Sequence, residues 1–292
     1  MPSYPVMKQL LRELVLPRDS VRVNEPDLVM DNPDKVQAFH EAGRENGVMA
    51  PVYLFHAAQV SGVVKEGETV VDLGCGPANQ LGLVARLNPD VNFFGVDLSD
   101  EMLALADRNL RNNNIHNVEL RRGDITLLEG FPDQSVDAVM STVVLHHLPD
   151  TAALFSCFSQ VSRILKPGGG LYLVDFGHLK TEAAIHYFAY QYEDKQPELF
   201  TLDYWHSLRA AFDREVWQEG YEKYLASLGK FYSTFVVPYM VAVRSPLRRR
   251  LPDSLVNALQ SQYTSMPRYH QTDYKDLMTF FRFGGLGTPG WS

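Results

Sequence analysis

The chain has 292 residues, 45% hydrophobic content, a formal net charge of −8 and two cysteines. That length and composition support a sizeable core, the acidity argues against a nucleic-acid partner because such affinity needs clustered Lys and Arg, and two cysteines make no disulfide framework. Apolar runs are broken within about ten residues, short of the roughly 20 needed to span a bilayer, and no secretory signal opens the sequence, so a cytoplasmic protein without a membrane span is expected.

In chain order, residues 1–65 read as an N-terminal helical cap: Leu10, Leu11 and Leu14 recur at near-helical spacing, and 34–39 leads towards Tyr53, Leu54 and Phe55. From Glu66 the pattern changes to short apolar runs at 69–72, 92–97, 118–121, 136–140 and 171–175, alternating with amphipathic segments. That alternation is the signature of βαβ units and a parallel sheet. Ser99 is placed to cap a helix whose apolar face is Met102, Leu105, Ala106 and Leu110. Asp150 is placed to cap another, carrying Leu154, Phe158, Val161 and Leu165, which the run Lys166-Pro167-Gly168-Gly169-Gly170 ends before the next strand.

Beyond the core at 66–178, residues 179–228 read as a mainly helical lid rich in Tyr187, Tyr190, Tyr192, Tyr204 and Trp205, aromatic candidates for a substrate wall. Residues 229–245 supply the closing strands of the sheet, with 234–243 a late strand or hairpin in which Pro238 favours an edge or a bulge. Residues 246–292 form a C-terminal extension with helices near 254–263 and 273–283. Its run Arg248-Arg249-Arg250 is too short for a nucleic-acid patch and reads as a solvated face or a local charge partner.

The decisive segment is Val70-Val71-Asp72-Leu73-Gly74-Cys75-Gly76-Pro77-Ala78-Asn79, a strand running into a Gly-X-Gly turn and a helix. Gly74 and Gly76 let a ligand approach bare backbone at a helix N-terminus, and Cys75 between them is expected to be buried. A dinucleotide fingerprint wants a small residue where Asn79 stands, and a diphosphate is repelled by Asp72; a cationic ligand is attracted by it. The next strand ends at Asp97, whose carboxylate can accept bonds from both hydroxyls of a ribose. The third is followed by Gly123-Asp124-Ile125, an acid and an apolar residue suited to an adenine amino group and ring face, and the fourth ends at Ser141-Thr142.

Together with Gly95-Val96-Asp97-Leu98-Ser99, Val144-Leu145-His146-His147-Leu148-Pro149-Asp150 and Ile164-Leu165-Lys166-Pro167-Gly168-Gly169, this text resembles the class I S-adenosylmethionine-dependent methyltransferases, in particular their small-molecule group. The resemblance covers residues 66–178. It implies an α/β, doubly wound, mostly parallel seven-stranded Rossmann-like sheet and S-adenosyl-L-methionine as cofactor. By the same resemblance Asp72, Gly74 and Gly76 hold the methionyl end, Asp97 the ribose, Leu98 and Met102 pack by the adenosine, Asp124 and Ile125 meet adenine, Ser141 lies beside the sulfonium and Tyr53 near the entrance.

Methyl transfer from a sulfonium is a direct displacement that needs alignment and, where the acceptor must lose a proton, a base; it needs no enzyme nucleophile, and no metal is expected. His146 is the first candidate base, with His147 turned more towards the core, and Asp175 and His178 are further pocket candidates. The Asn/Asp-Pro-Pro-Tyr element of base- and amide-methylating enzymes is replaced by Ser141-Thr142-Val143-Val144, and the cysteines of arsenite methyltransferases and of radical enzymes are absent. The expected reaction is methylation of an O, N or C atom of a small-molecule or peptide-derived substrate. Two other readings stay open: a nicotinamide enzyme on a similar fold, disfavoured by Asp72 and Asn79, and a non-catalytic scaffold that keeps the pocket and uses the aromatic stretch 280–286. The oligomeric state, a homodimer included, is left open.

Overall fold

The apolar runs become the parallel part of one sheet in a computed structural model that describes residues 4–27, 29–44 and 47–290. Strands β1 (Thr69–Leu73), β2 (Asn92–Asp97), β3 (Val118–Arg122), β4 (Val136–Thr142) and β5 (Leu165–Phe176) pair in parallel, and β6 (Lys230–Ser233) and β7 (Met240–Arg244) add an antiparallel edge. The order is β3-β2-β1-β4-β5-β7-β6. Chain order reverses between β1 and β4, and in such sheets ligands bind outside the carboxyl ends of the strands at that switch.

Helices cover both faces, which is why the central strands read as continuous apolar runs. Val70, Tyr172 and Val174 face a layer that includes α3 (Ala50–Val63), α4 (Asn79–Leu87), α5 (Asp100–Asn112), α10 (Asp253–Ser265) and α11 (Arg268–Phe283). Val71, Leu73, Leu171 and Leu173 face α6 (Thr151–Ile164) and α9 (Arg214–Gly220). The remaining helices are α1 (Tyr4–Val15), α2 (Pro33–Ala42), α7 (Glu182–Tyr190) and α8 (Glu198–Ala210). α3 is buried along nearly its whole length, so it serves as a core helix. Both anticipated caps form: Ser99 Oγ accepts from Met102 N at 3.0 Å, and Asp150 Oδ1 from Ala153 N at 2.8 Å.

Four local readings are corrected. α6 ends at Ile164 and Leu165 already pairs with Val136, so the glycine run lies inside β5. A Cβ at Gly170 would stand 2.1 Å from Val63 O, so this glycine serves the close approach of α3 as well as the turn. The 234–243 stretch is not one strand: residues 234–239 form the β6–β7 connection, where Thr234 Oγ1 accepts from Met240 N at 3.0 Å, and Pro238 sits in that connection. On α1, Leu11 and Leu14 are exposed; the inward residues include Gln9, Leu10 and Glu13, and the Glu13 carboxylate accepts from Lys180 N, Thr181 N and Thr181 Oγ1 at 2.6–2.8 Å. The acid thereby meets the positive end of α7.

Arg248 makes a two-pronged bond to Glu68 at 2.7 and 2.6 Å, and Arg249 donates to Ser61 O at 2.7 Å, so those two arginines of the basic run are local partners. Arg22 fastens the segment after α1: it donates to Ala210 O at 2.8 Å, Pro149 O at 3.0 Å and Leu148 O at 2.7 Å, and lies over the Phe212 ring. This clamp carries Glu25 to the carboxyl end of β4, where Ser207 Oγ donates to Glu25 Oε1 at 2.8 Å. No described helix is long and apolar enough to cross a membrane.

Candidate active site

At the switch between β1 and β4 lies a cleft of about 260 Å³. Its floor is the turn after β1. Gly74 has φ 69°, a region that favours glycine, and a Cβ there would meet Val144 Cγ2 at 2.3 Å. Gly76 has φ 51°, and a Cβ there would find only Phe39, at 4.0 Å, on the cleft wall. Ala78 precedes α4 without a capping side-chain bond, so the cleft floor meets a helix N-terminus that its cap residue leaves open.

Asp72, Gly74, Cys75 and Gly76 line this cleft together with Tyr53, Asp97, Leu98 and Met102, and Asp124 and Ile125 close its far side. Asp72 is 3% exposed, and no donor among the described residues reaches its carboxylate. Burial first, and then the charge of Asp97, push its pKa well above the ordinary carboxylate value. Asp97 Oδ2 accepts from Gly76 N at 2.8 Å and Oδ1 from Ser99 N at 3.0 Å; burial raises its pKa while these backbone bonds oppose the rise. Asp124 Oδ1 is engaged by Thr126 N and Oγ1, both at 2.7 Å.

Ser141 does not reach the cleft. Its side chain is fully buried and donates to Leu73 O at 3.0 Å, whereas Thr142, one position on, lines the cleft with a buried Oγ1 that has no partner among the described residues. Strand side chains alternate, so a shift of one residue changes the face.

After β4 the chain turns through Val143 at φ 56°, a strained position for a β-branched residue, into a single 3₁₀ turn, Leu145–His147. This turn seats His146 Nδ1 on Asp175 Oδ1 at 2.7 Å, and Asp175 Oδ2 accepts His146 N at 2.9 Å. The ring's other nitrogen, Nε2, is buried without a hydrogen-bond partner among the described residues, 3.9 Å from Glu25 Oε1. Burial lowers the His146 pKa, but the charge and hydrogen bond of Asp175, with Glu25 and Asp203 beyond, bring it above its ordinary value. His147 goes the other way, well below its ordinary value, through burial and then the charge of His146. Glu25, His146 and His147 bring one donor atom each within 4.8 Å of one another, a grouping able to pass a proton or to coordinate a cation.

His146 and His147 both line a space of about 30 Å³ beside the cleft, and only His147 also lines the cleft. The cleft is thus met by His147, which the sequence reading turned towards the core, while His146, the candidate base, lines the small space beside it. Asp175 lines neither of these spaces and bonds His146 instead. His178 is not brought to the cleft: its Nε2 bonds Ser20 Oγ at 3.0 Å and ties down the N-terminal segment. A larger concavity of about 550 Å³ opens beside α4, shares only Tyr53 and Asn79 with the cleft and includes none of the strand-end carboxylates.

A family model described as a methyltransferase domain matches residues 64–224, more than half of the chain. This chain belongs to that methyltransferase family. An arsenite methyltransferase of Halobacterium salinarum is 37% identical over 110 residues, 37% of this chain and 27% of that protein. A demethylmenaquinone methyltransferase of Listeria monocytogenes is 33% identical over 113 residues, 38% of this chain and 46% of that one. The chain thus matches less than half the length of these relatives. A SAM-dependent methyltransferase of Aquifex aeolicus superposes with a TM-score of 0.52 at 18% identity, over 74% of this chain and 98% of that one. An O-methyltransferase family protein of Burkholderia thailandensis gives 0.51 at 17% identity, over 68% and 56%. These likenesses establish the class I fold.

The cleft's residues fit S-adenosylmethionine, the cofactor that the family implies. A buried carboxylate without a donor suits an ammonium, a carboxylate with spare lone pairs suits two hydroxyls, and Leu98, Met102 and Ile125 are apolar enough for an adenine face.

Proposed function

We propose that this protein transfers a methyl group from S-adenosyl-L-methionine to a small molecule with an apolar body, at an O, N or C atom. The observation that carries the reading is the pairing of buried Asp72 with Asp97 across adjacent strand ends, Asp72 lying opposite Gly95 in the register. Two like charges so placed call for a positive, hydroxyl-rich ligand.

In this reading Asp72 and the turn at Gly74 and Gly76 would hold the methionyl end, Asp97 the ribose, and Asp124 with Ile125 the adenine. Thr142 replaces Ser141 beside the sulfonium. When bound, the cofactor supplies an electrophilic methyl group. The acceptor's reacting atom would lie in the small space between the cleft and the lid, where Tyr53, Thr142, Val143 and His147 form the cleft side and Phe176 of β5 and Tyr204 of α8 the far side. These walls exclude water and align the acceptor, a contribution of roughly 7–11 kcal/mol for well-oriented pairs.

His146 lines that space, and its buried Nε2, unpartnered among the described residues, would take the acceptor's proton; Asp175 fixes the tautomer and bears the resulting charge, and Glu25 stands behind as a further acceptor. A base with a raised pKa is the stronger proton acceptor once neutral. Arsenic chemistry is not carried over from the Halobacterium relative: Cys75 and Cys157 are both buried, in separate core clusters.

The test is direct. Purified protein is titrated with S-adenosylhomocysteine in a calorimeter and then incubated with S-adenosylmethionine and a panel of apolar amines, phenols and quinols, with release of S-adenosylhomocysteine as readout. Binding with turnover supports the reading, binding without turnover across the panel favours a scaffold that keeps the pocket, and no binding refutes both.

A further inference from the structure

A second cavity, of about 130 Å³, lies beyond the small acceptor space, between α1, α7, α8, the β6–β7 connection and α11. Its walls are largely rings and methyl groups: Phe188, Phe200, Tyr204 and Tyr239 are among them, and the Tyr204 and Tyr239 hydroxyls bond each other. Two carboxylates, Asp273 and Asp276 of α11, also line it, and no described Lys, Arg or His does.

The cavity is the continuation of the reaction space. The small space with His146 and His147 shares Met49, Phe176, Phe200 and Tyr204 with it, and shares Phe39, Tyr53, Thr142, Val143 and His147 with the cofactor cleft. The aromatic cavity and the cofactor cleft have no lining residue in common. Asp273 and Asp276 belong to the aromatic cavity and not to the intervening space, which puts them at the end remote from the methyl group.

A carboxylate in an aromatic-walled cavity is unfavourable alone and favourable beside a cation, because ring faces and the carboxylate both attract positive charge. The Tyr192 hydroxyl reaches both oxygens of Asp273, at 2.9 and 2.8 Å, which orients the carboxylate and leaves lone pairs over. Lys195 Nζ, 5.7 Å from the Tyr192 ring centre, is held by Asp194 at 2.6–2.8 Å and does not line the cavity.

Resting on the methyltransferase reading, we propose that Asp273 anchors a basic nitrogen of the methyl acceptor. The substrate class is then an elongated molecule with an apolar, aromatic-compatible body, carrying an ammonium group at the end opposite the atom that is methylated. The ammonium sets which molecules enter and in which direction they point; the histidine end performs the proton transfer.

The experiment uses the full chain saturated with S-adenosylhomocysteine at pH 8 and titrates it with phenethylammonium and with 2-phenylethanol, probes alike in ring and length and different in charge. The parent is expected to bind the ammonium at least about tenfold more tightly, the equivalent of roughly 1.4 kcal/mol. Asp273→Asn abolishes that preference while leaving affinity for the alcohol and for S-adenosylhomocysteine unchanged. Tyr192→Phe, which frees the carboxylate from its only hydroxyl donor among the described residues, keeps or enlarges the preference and serves if the first variant does not fold. Equal affinity of the parent for both probes, or a preference that survives Asp273→Asn, overturns the proposal. Failure of the parent to bind S-adenosylhomocysteine at all refutes the methyltransferase reading instead.

Discussion

Asp97→Ala is the sharpest perturbation of the cofactor cleft. Each carboxylate oxygen already accepts one backbone N–H, from Gly76 and Ser99, and a carboxylate offers about four lone-pair sites, so about two remain for the ribose hydroxyls. A hydrogen bond to a charged group contributes about 1.5–3 kcal/mol, so losing two lowers affinity for S-adenosylhomocysteine by about 3–6 kcal/mol, or roughly 10² to 10⁴-fold. Asp97→Asn keeps one acceptor oxygen and turns a donor towards a backbone N–H, so its loss falls at the lower end. Thermal stability changes less than affinity, because removing Asp97 also relieves the repulsion on buried Asp72. Isothermal calorimetry measures both variants, and adenosine against 2′-deoxyadenosine tests the assigned contact: the parent discriminates and Asp97→Ala does not. Affinity within about threefold of the parent, or discrimination that survives in Asp97→Ala, refutes the ribose assignment, since threefold is only about 0.6 kcal/mol.

Gly74→Ala is expected to lower the melting temperature, because the left-handed backbone costs about 1–2 kcal/mol and its Cβ meets Val144 at 2.3 Å; adding Val144→Ala restores part of the loss, and a parental melting temperature in the single variant would contradict the clash. With an acceptor in hand, His146→Asn lowers kcat by about 10² to 10⁴-fold. The parental rate climbs with pH as His146, whose pKa lies above 6.5, loses its proton, and the variant lacks that limb; an unchanged pH profile reduces His146 to a wall residue. Asp203→Asn probes buried charge. Burial, then the charge of Glu25, raise the Asp203 pKa to about 7 from 3.8, so the folded state binds the extra proton and loses stability as pH rises from about 4 to 7. The variant is accordingly more stable than the parent at pH 8, by at most about 4 kcal/mol, and matches it at pH 4 in calorimetric scans; a destabilised variant at pH 8 contradicts the sign.

Much of the cleft was legible because each strand-end acid directly follows an apolar run, so sequence order and spatial order coincide along a parallel sheet. Ser141 was off by one position, since the alternation of side chains depends on a register that the motif alone does not set. How His146 and His147 share the site was not legible for a similar reason: a 3₁₀ turn entered through strained Val143 puts both on the small space and His147 on the cleft as well. Gly170 read as a stop because its real requirement, the approach of Val63 O, comes from another element. Glu25 carried no signal at all: Arg22 and Ser207 deliver it by tertiary contacts. Asp273 looked like one acid among many on an amphipathic helix, and Tyr192 like one aromatic among many, until the fold brought them together.

The lining of the cofactor cleft falls between residues 29 and 153, whereas the aromatic cavity takes its walls from residues 6–52 and 176–280. On the proposed reading, donor and acceptor would be handled by largely separate residues, the two linings interleaving in the chain only before residue 54. Drift within α1, α7, α8 and α11 can change which molecule is admitted while leaving the grip on the methyl donor untouched, so descendants of this protein can acquire new acceptors without rebuilding the part that is hardest to replace.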